Sequence, residues 1–91
     1  MFTLFDNQKF ELGSILTTPG ILALGLDPLP YLSRHASCDW GDMCPEDKQE
    51  NEYSLTRHLR LFSAYETPAG KIWIITEADR SATTILLPDE Y

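Results

Sequence analysis

The last third of the chain, Leu59 to Tyr91, alternates with period two and is broken by two short turn-forming stretches, a pattern that predicts three antiparallel strands. The first run sets Leu59, Leu61, Ser63 and Tyr65 on one side and Arg60, Phe62, Ala64 and Glu66 on the other. Thr67-Pro68-Ala69-Gly70 then offers a proline that pre-sets φ and a glycine that tolerates positive φ, which predicts a hairpin. Counting outward pairs Glu66 with Lys71, Ala64 with Trp73 and Phe62 with Ile75. The second loop, Ala78-Asp79-Arg80-Ser81, pairs Glu77 with Ala82, Ile74 with Ile85 and Ile72 with Leu87.

This register gives the sheet two unlike faces. The first collects Leu61, Tyr65, Ile72, Ile74, Ile85 and Leu87, an aliphatic surface that must be covered. The second centres on Phe62, Trp73, Ile75 and Leu86 and is ringed by Arg60, Glu66, Lys71 and Glu77. An aromatic centre with a charged margin is the layout of an interface, so Phe62 and Trp73 are candidate interaction residues. A homodimer through the sheet or another protein would cover that face if the N-terminal segment does not.

Ahead of the sheet, residues 2 to 16 are apolar and weakly patterned; they read as a short strand or hairpin that covers a sheet edge or the second face. Thr18-Pro19 and Asp27-Pro28 are helix starts, the second leading a helix from about Pro28 to Ala36. Trp40-Gly41 lies in a loop, where the indole is expected to anchor the loop in the core. Cys44-Pro45-Glu46-Asp47 opens the longest helix, Pro45 to about Arg57, with its acids at the positive end of the helix dipole. That helix has little apolar surface beyond Leu55, so Asp47 and Asn51 are expected to act as polar anchors to backbone groups of the 35–41 loop. The sum is one α+β domain spanning 1–91: a three- to four-stranded antiparallel sheet with two or three short helices on its first face.

At 91 residues the core is small, and 43% hydrophobic residues place the chain among globular proteins. The formal charge of −7, with no basic patch, argues against direct binding to nucleic acid. No apolar run reaches the roughly 18 residues of a membrane span. The start, Met1 to Asp6, lacks the basic and apolar regions of a secretory signal, so the expected location is the cytoplasm. Acidity concentrates in residues 39 to 52, which hold Asp39, Asp42, Glu46, Asp47, Glu50 and Glu52 against Lys48 alone. This is either a solvated helix face or a surface presenting Asp39, Asp42, Glu46 and Glu50 to a basic, nucleic-acid-handling partner.

Two stretches, His35-Ala36-Ser37-Cys38-Asp39-Trp40-Gly41 and Ile75 through Tyr91, resemble a group of small bacterial proteins carried on plasmids and integrative elements, some labelled by association with type I restriction-modification systems. The resemblance covers most of the chain from His35 onward. It implies a mobile-element protein whose neighbours deal with foreign DNA, and it brings no assigned activity. The family pattern often has glycine where this chain has Cys38, so no ligand or nucleophile role comes to Cys38 from it.

Read for chemistry, His35, Cys38, Cys44 and His58 are zinc-ligand types, with Asp39 or Asp42 able to join, but the two cysteines lack the close spacing of a zinc knuckle. Cys44 opens a helix, which favours a thiolate, while Asp42, Glu46 and Asp47 oppose one. Glu77, Asp79, Arg80 and Ser81 have the composition of a turn in which Asp79 or Ser81 bonds its own backbone and Arg80 meets an acid. The expected function is a non-enzymatic acidic interaction module, an inhibitor of a host defence system of the restriction or CRISPR type, with no cofactor and no metal. The alternative is a small metal-binding or thiol-dependent enzyme or sensor using His35, Cys38 and Cys44.

Overall fold

The computed structural model describes residues 4–91; Met1, Phe2 and Thr3, counted above with the N-terminal apolar stretch, lie outside the described residues. The elements are β1 (Ser14–Thr17), α1 (Pro19–Ala23), α2 (Leu29–Ala36), α3 (Pro45–Arg57), β2 (Leu61–Thr67), β3 (Gly70–Thr76), β4 (Ala82–Leu86) and a closing 3-10 turn, Pro88–Glu90. They form a small α+β fold on one four-stranded sheet of order β1-β4-β3-β2.

The hairpin register is the one the turns dictate. Glu66 faces Lys71, Ala64 faces Trp73, Phe62 faces Ile75 and Ile74 faces Ile85. The alternation therefore sorts the two faces as expected, and Leu61, Tyr65, Ile72, Ile74 and Ile85 are fully buried on the first. Over them pack Ile21 of α1, Leu32 and Ala36 of α2, and Phe10, Leu12 and Trp40 from the loops. Trp40 is the expected anchor: it is 3% exposed, stacks on Phe10 at 6.3 Å, and donates its indole N–H to Glu52 at 2.7 Å.

Two features depart from expectation. The sheet is mixed, because β1 joins β4 in parallel with Ser14 opposite Ala82 and Thr17 opposite Ile85. A parallel pairing needs a long connection, and the chain between β1 and β4 supplies one in three helices and a hairpin. The N-terminal segment thus covers an edge and, through Phe10 and Leu12, the first face; the second face is not its target. Finally, the first face is not purely aliphatic. Ser63, Thr76 and Thr83 share it, all fully buried, and α2 lays His35 across them.

Those hydroxyls form one directed chain. Thr83 Oγ1 donates to the Leu12 carbonyl at 2.7 Å, so its lone proton is spent there. Thr76 must then donate to Thr83 across 2.8 Å, and His35 Nε2 must donate to Thr76 across 2.9 Å. His35 Nδ1 is left as the acceptor of the Ser63 hydroxyl. Only a neutral imidazole with its proton on Nε2 satisfies every member, and burial, helped by the nearby charge of Arg80, pushes the His35 pKa down to about 3.

Candidate interaction surface

The helix α3 starts where the Cys44-Pro45 signal puts it and ends at His58, whose backbone is left-handed. Among its residues only Asn51 and Ser54 are buried, so it docks mainly through polar groups. Its seat is the outer edge of β2, to one side of the first face. Asn51 Nδ2 donates to the Phe62 carbonyl at 2.5 Å and Asn51 Oδ1 accepts from the Phe62 N–H at 3.1 Å, as a neighbouring strand would. The anchor role of Asn51 therefore falls on β2, and the 35–41 loop is not its partner. Asp47, expected as a second anchor, is instead exposed on the same helix.

The rest of that edge is closed as well. The Trp40 carbonyl accepts from the Ala64 N–H at 3.3 Å, and the Ala64 carbonyl accepts from the Asp42 N–H at 2.7 Å. The Asp42 carboxylate takes the Glu66 N–H at 2.8 Å. Capping an edge this way removes the row of free donors and acceptors on which other strands pair. Asn51→Ala would strand both backbone groups of Phe62, and a loss of about 2–3 kcal/mol is expected, or about 10–20 °C in Tm for a chain this size. Thermal melts followed by circular dichroism check it; an unchanged Tm would overturn the assignment.

The structure divides the acids put forward as partner contacts. Asp39 is bonded by Arg34 at 2.8 and 3.3 Å and by the Gly41 N–H at 3.2 Å, and the Arg34 guanidinium holds its carboxyl below the usual range. With Asp42 committed to Glu66, both serve the loop that seals β2. Glu46 and Glu50 stand exposed on α3.

Phe62 and Trp73 lie together on the second face with ring centroids 4.8 Å apart, edge to face. The 3-10 turn brings Tyr91 against Trp73 as well, edge to face at 5.7 Å. Glu90 holds that turn by accepting from the Thr18 hydroxyl, the Gly20 N–H and the Leu87 N–H. Trp73 thus touches two aromatic rings and remains half-buried. Arg60 closes the row, donating to the Tyr91 hydroxyl at 2.9 Å while lying 3.6 Å from Glu77. Beside Phe62 the row opens into a groove of about 270 Å³ lined by Met43, Asp47, Glu50, Asn51, Ser54, Arg60 and Phe62. The aromatic face and the acidic helix, separate features in the sequence, form one continuous surface.

The residues of the metal and thiol reading are placed differently. His35 is buried with both ring nitrogens engaged by hydroxyls. Burial, reinforced by Glu52, pushes the Cys38 thiol up to about 11, away from a thiolate. At the exposed Cys44 the Asp47 backbone N–H favours the thiolate, but the Asp47 and Glu46 carboxylates outweigh it and the pKa is raised. Among the described residues no three His, Cys, Asp or Glu side chains are grouped to hold a metal ion. Nor is any helix among them long and apolar enough to cross a membrane.

Two functional-looking residues escaped the sequence reading. Tyr91 carried no signal, since its partner lies across a turn. Arg80, expected to meet an acid, instead caps carbonyls with its guanidinium: Leu59 at 2.7 Å, Glu77 at 3.1 Å, Ala78 at 3.2 Å and Ser54 at 3.3 Å. It staples the β3–β4 turn to the C-terminal end of α3, where a cation suits the dipole. Asp79 does bond its own turn, accepting from the Ser81 N–H at 3.0 Å.

No family model, curated protein or solved structure matches this chain.

Proposed function

We propose that the chain is a non-enzymatic interaction module that binds a basic protein through the Phe62–Trp73–Tyr91 row and the acidic flank of α3. The observation that carries this reading is the groove beside Phe62, where Asp47 and Glu50 stand against an aromatic ring. A lysine or arginine entering it meets the carboxylates of Asp47 and Glu50 and the apolar surface of Met43 and Phe62, so stem and charge are both accommodated. A net charge of −7 favours a basic partner at long range.

The context is part of the same proposal. The stretches from His35 to Gly41 and from Ile75 to Tyr91 resemble plasmid and integrative-element proteins, which supports an inhibitor that occupies the nucleic-acid-handling surface of a host restriction or CRISPR-type system. The left-handed backbone at Cys38, φ 68°, suits the glycine that the resembling proteins often carry there. The rival reading, a metal or thiol site, rests on His35, Cys38 and Cys44, which the fold commits to other contacts or leaves apart.

Expression of the chain in cells carrying such a defence system should relieve interference with incoming plasmid. Trp73→Ala and Glu50→Lys should each reduce that relief about tenfold or more if they remove an interface anchor or reverse its charge. Equal relief by folded variants would overturn the assignment of this surface.

A further inference from the structure

The two edges of the sheet are finished differently. Three devices close β2, as described above, whereas among the described residues none covers β1. Ser14 and Thr18 donate toward β4, to the Ser81 and Ile85 carbonyls at 3.0 and 3.2 Å, so in this parallel ladder the backbone groups of Ile15 and Thr17 point away from the sheet. No partner for them exists among the described residues. All four β1 residues are exposed, with Ile15 at 39% and Leu16 at 50%. Beside the strand runs a groove of about 260 Å³ lined by Leu4, Gln8, Glu11, Leu12, Gly13 and Ile15. Its apolar lining is Leu4, Leu12 and Ile15, and Glu11 is exposed in the same lining with no ion-pair partner among the described residues.

We propose that the β1 edge is a strand-addition site for an extended basic segment of a partner protein, whose backbone pairs with Ile15 and Thr17 and whose lysine or arginine stem fills the groove against Glu11. Charge decides the occupant. A second copy would bring a like Glu11 and a like net charge of −7 to a strand of four residues. A segment alternating cations with β-branched residues meets both needs: main-chain bonds give affinity and the groove selects alternate side chains. The site lies at the opposite edge of the sheet from Phe62 and its groove, so it stands or falls independently of the proposed function.

The test is an NMR titration with a capped octapeptide alternating lysine and valine, alongside one alternating glutamate and valine. The lysine peptide should shift the Ile15 and Thr17 amides and slow their hydrogen exchange, while the glutamate peptide does neither. Ile15→Pro deletes an outward donor without touching a bond to β4 and should weaken binding about tenfold or more. Glu11→Gln should weaken it about two- to fivefold, the scale of an exposed ion pair. Should Ile15→Pro not fold, peptides N-methylated along one edge or the other replace it: methylation on the pairing edge alone must abolish binding. Shifts confined to Trp73 and Glu50, indifference to both the proline and the methyl groups, or a dimer in sedimentation with the edge protected would each overturn the proposal.

Discussion

Replacing Gly41 by alanine is expected to unfold much of this protein at moderate temperature. Gly41 has φ 76°, and a Cβ built there would sit 2.0 Å from the Ala64 carbonyl oxygen and 2.6 Å from a ring carbon of Tyr65. The first neighbour is backbone within β2 and the second is a fully buried ring, so neither can give way cheaply. The loop must lift instead, breaking the bonds from Ala64 to Trp40 and Asp42 and drawing Trp40 off Phe10 and His35. Left-handed strain of about 1–2 kcal/mol and overpacking of about 1–3 kcal/mol combine to a loss of about 2–5 kcal/mol, or roughly 10–30 °C in Tm. Gly25→Ala is the control, because Gly25 has φ 65° and nothing within 4 Å of the added carbon. It should cost only about 1–2 kcal/mol, the conformational share alone. Urea titrations of both variants decide the point, and equal losses would mean that the close approach at Gly41 does not hold the loop down.

Acid should destabilise the fold well above the pH at which carboxylates protonate. The unfolded chain takes up a proton on His35 below about 6.5, whereas the native state refuses it until about 3. Stability conferred by the neutral imidazole is therefore whole above 6.5 and falls steadily as the pH drops toward 3. The slope approaches 1.4 kcal/mol per pH unit, which makes about 2–3 kcal/mol lost between pH 6.5 and 4.5. Carboxylates held low, Asp39 by Arg34 and Glu90 by Thr18, add their own loss only as the pH falls into the ordinary carboxylate range. Urea titrations at half-unit steps should show the decline in the wild type. His35→Phe should be less stable at pH 7, by about 2–4 kcal/mol, because Ser63 and Thr76 lose their partner. Its curve over the same interval should be nearly flat. A wild-type slope that survives in the variant would remove His35 as its source.

Much of the fold was legible in short-range patterns. Alternation through Leu61–Thr67 and Gly70–Thr76, with a Pro-Gly turn between, set the hairpin register residue by residue, because a one-position slip would put Trp73 and Ile74 on the wrong faces. The candidate surface was half legible. Phe62 and Trp73 could be placed on one face by counting, and Glu46 and Glu50 on one helix. That the helix would lie beside Phe62 was not readable, since Asn51 has the same composition whether it bonds the loop or β2. The hydroxyls of Ser63, Thr76 and Thr83 were on the correct face by the same count, but among aliphatic neighbours they gave no sign of sharing a histidine 28 and 41 positions away from the first two.

What the sequence alone determined acts within a few residues: the strands of the meander, their register, and the proline-led start of α3 with its acids. Alternation, φ restriction and capping are local forces, so the local string suffices to read them. The tertiary structure alone decided that β1 pairs parallel with β4, that α3 seals β2 through Asn51, that His35 joins the hydroxyls, and that Tyr91 folds back on Trp73. Each of these joins positions distant in the chain, where the outcome depends on which surfaces remain to be covered once the sheet has formed, and no short segment carries that information.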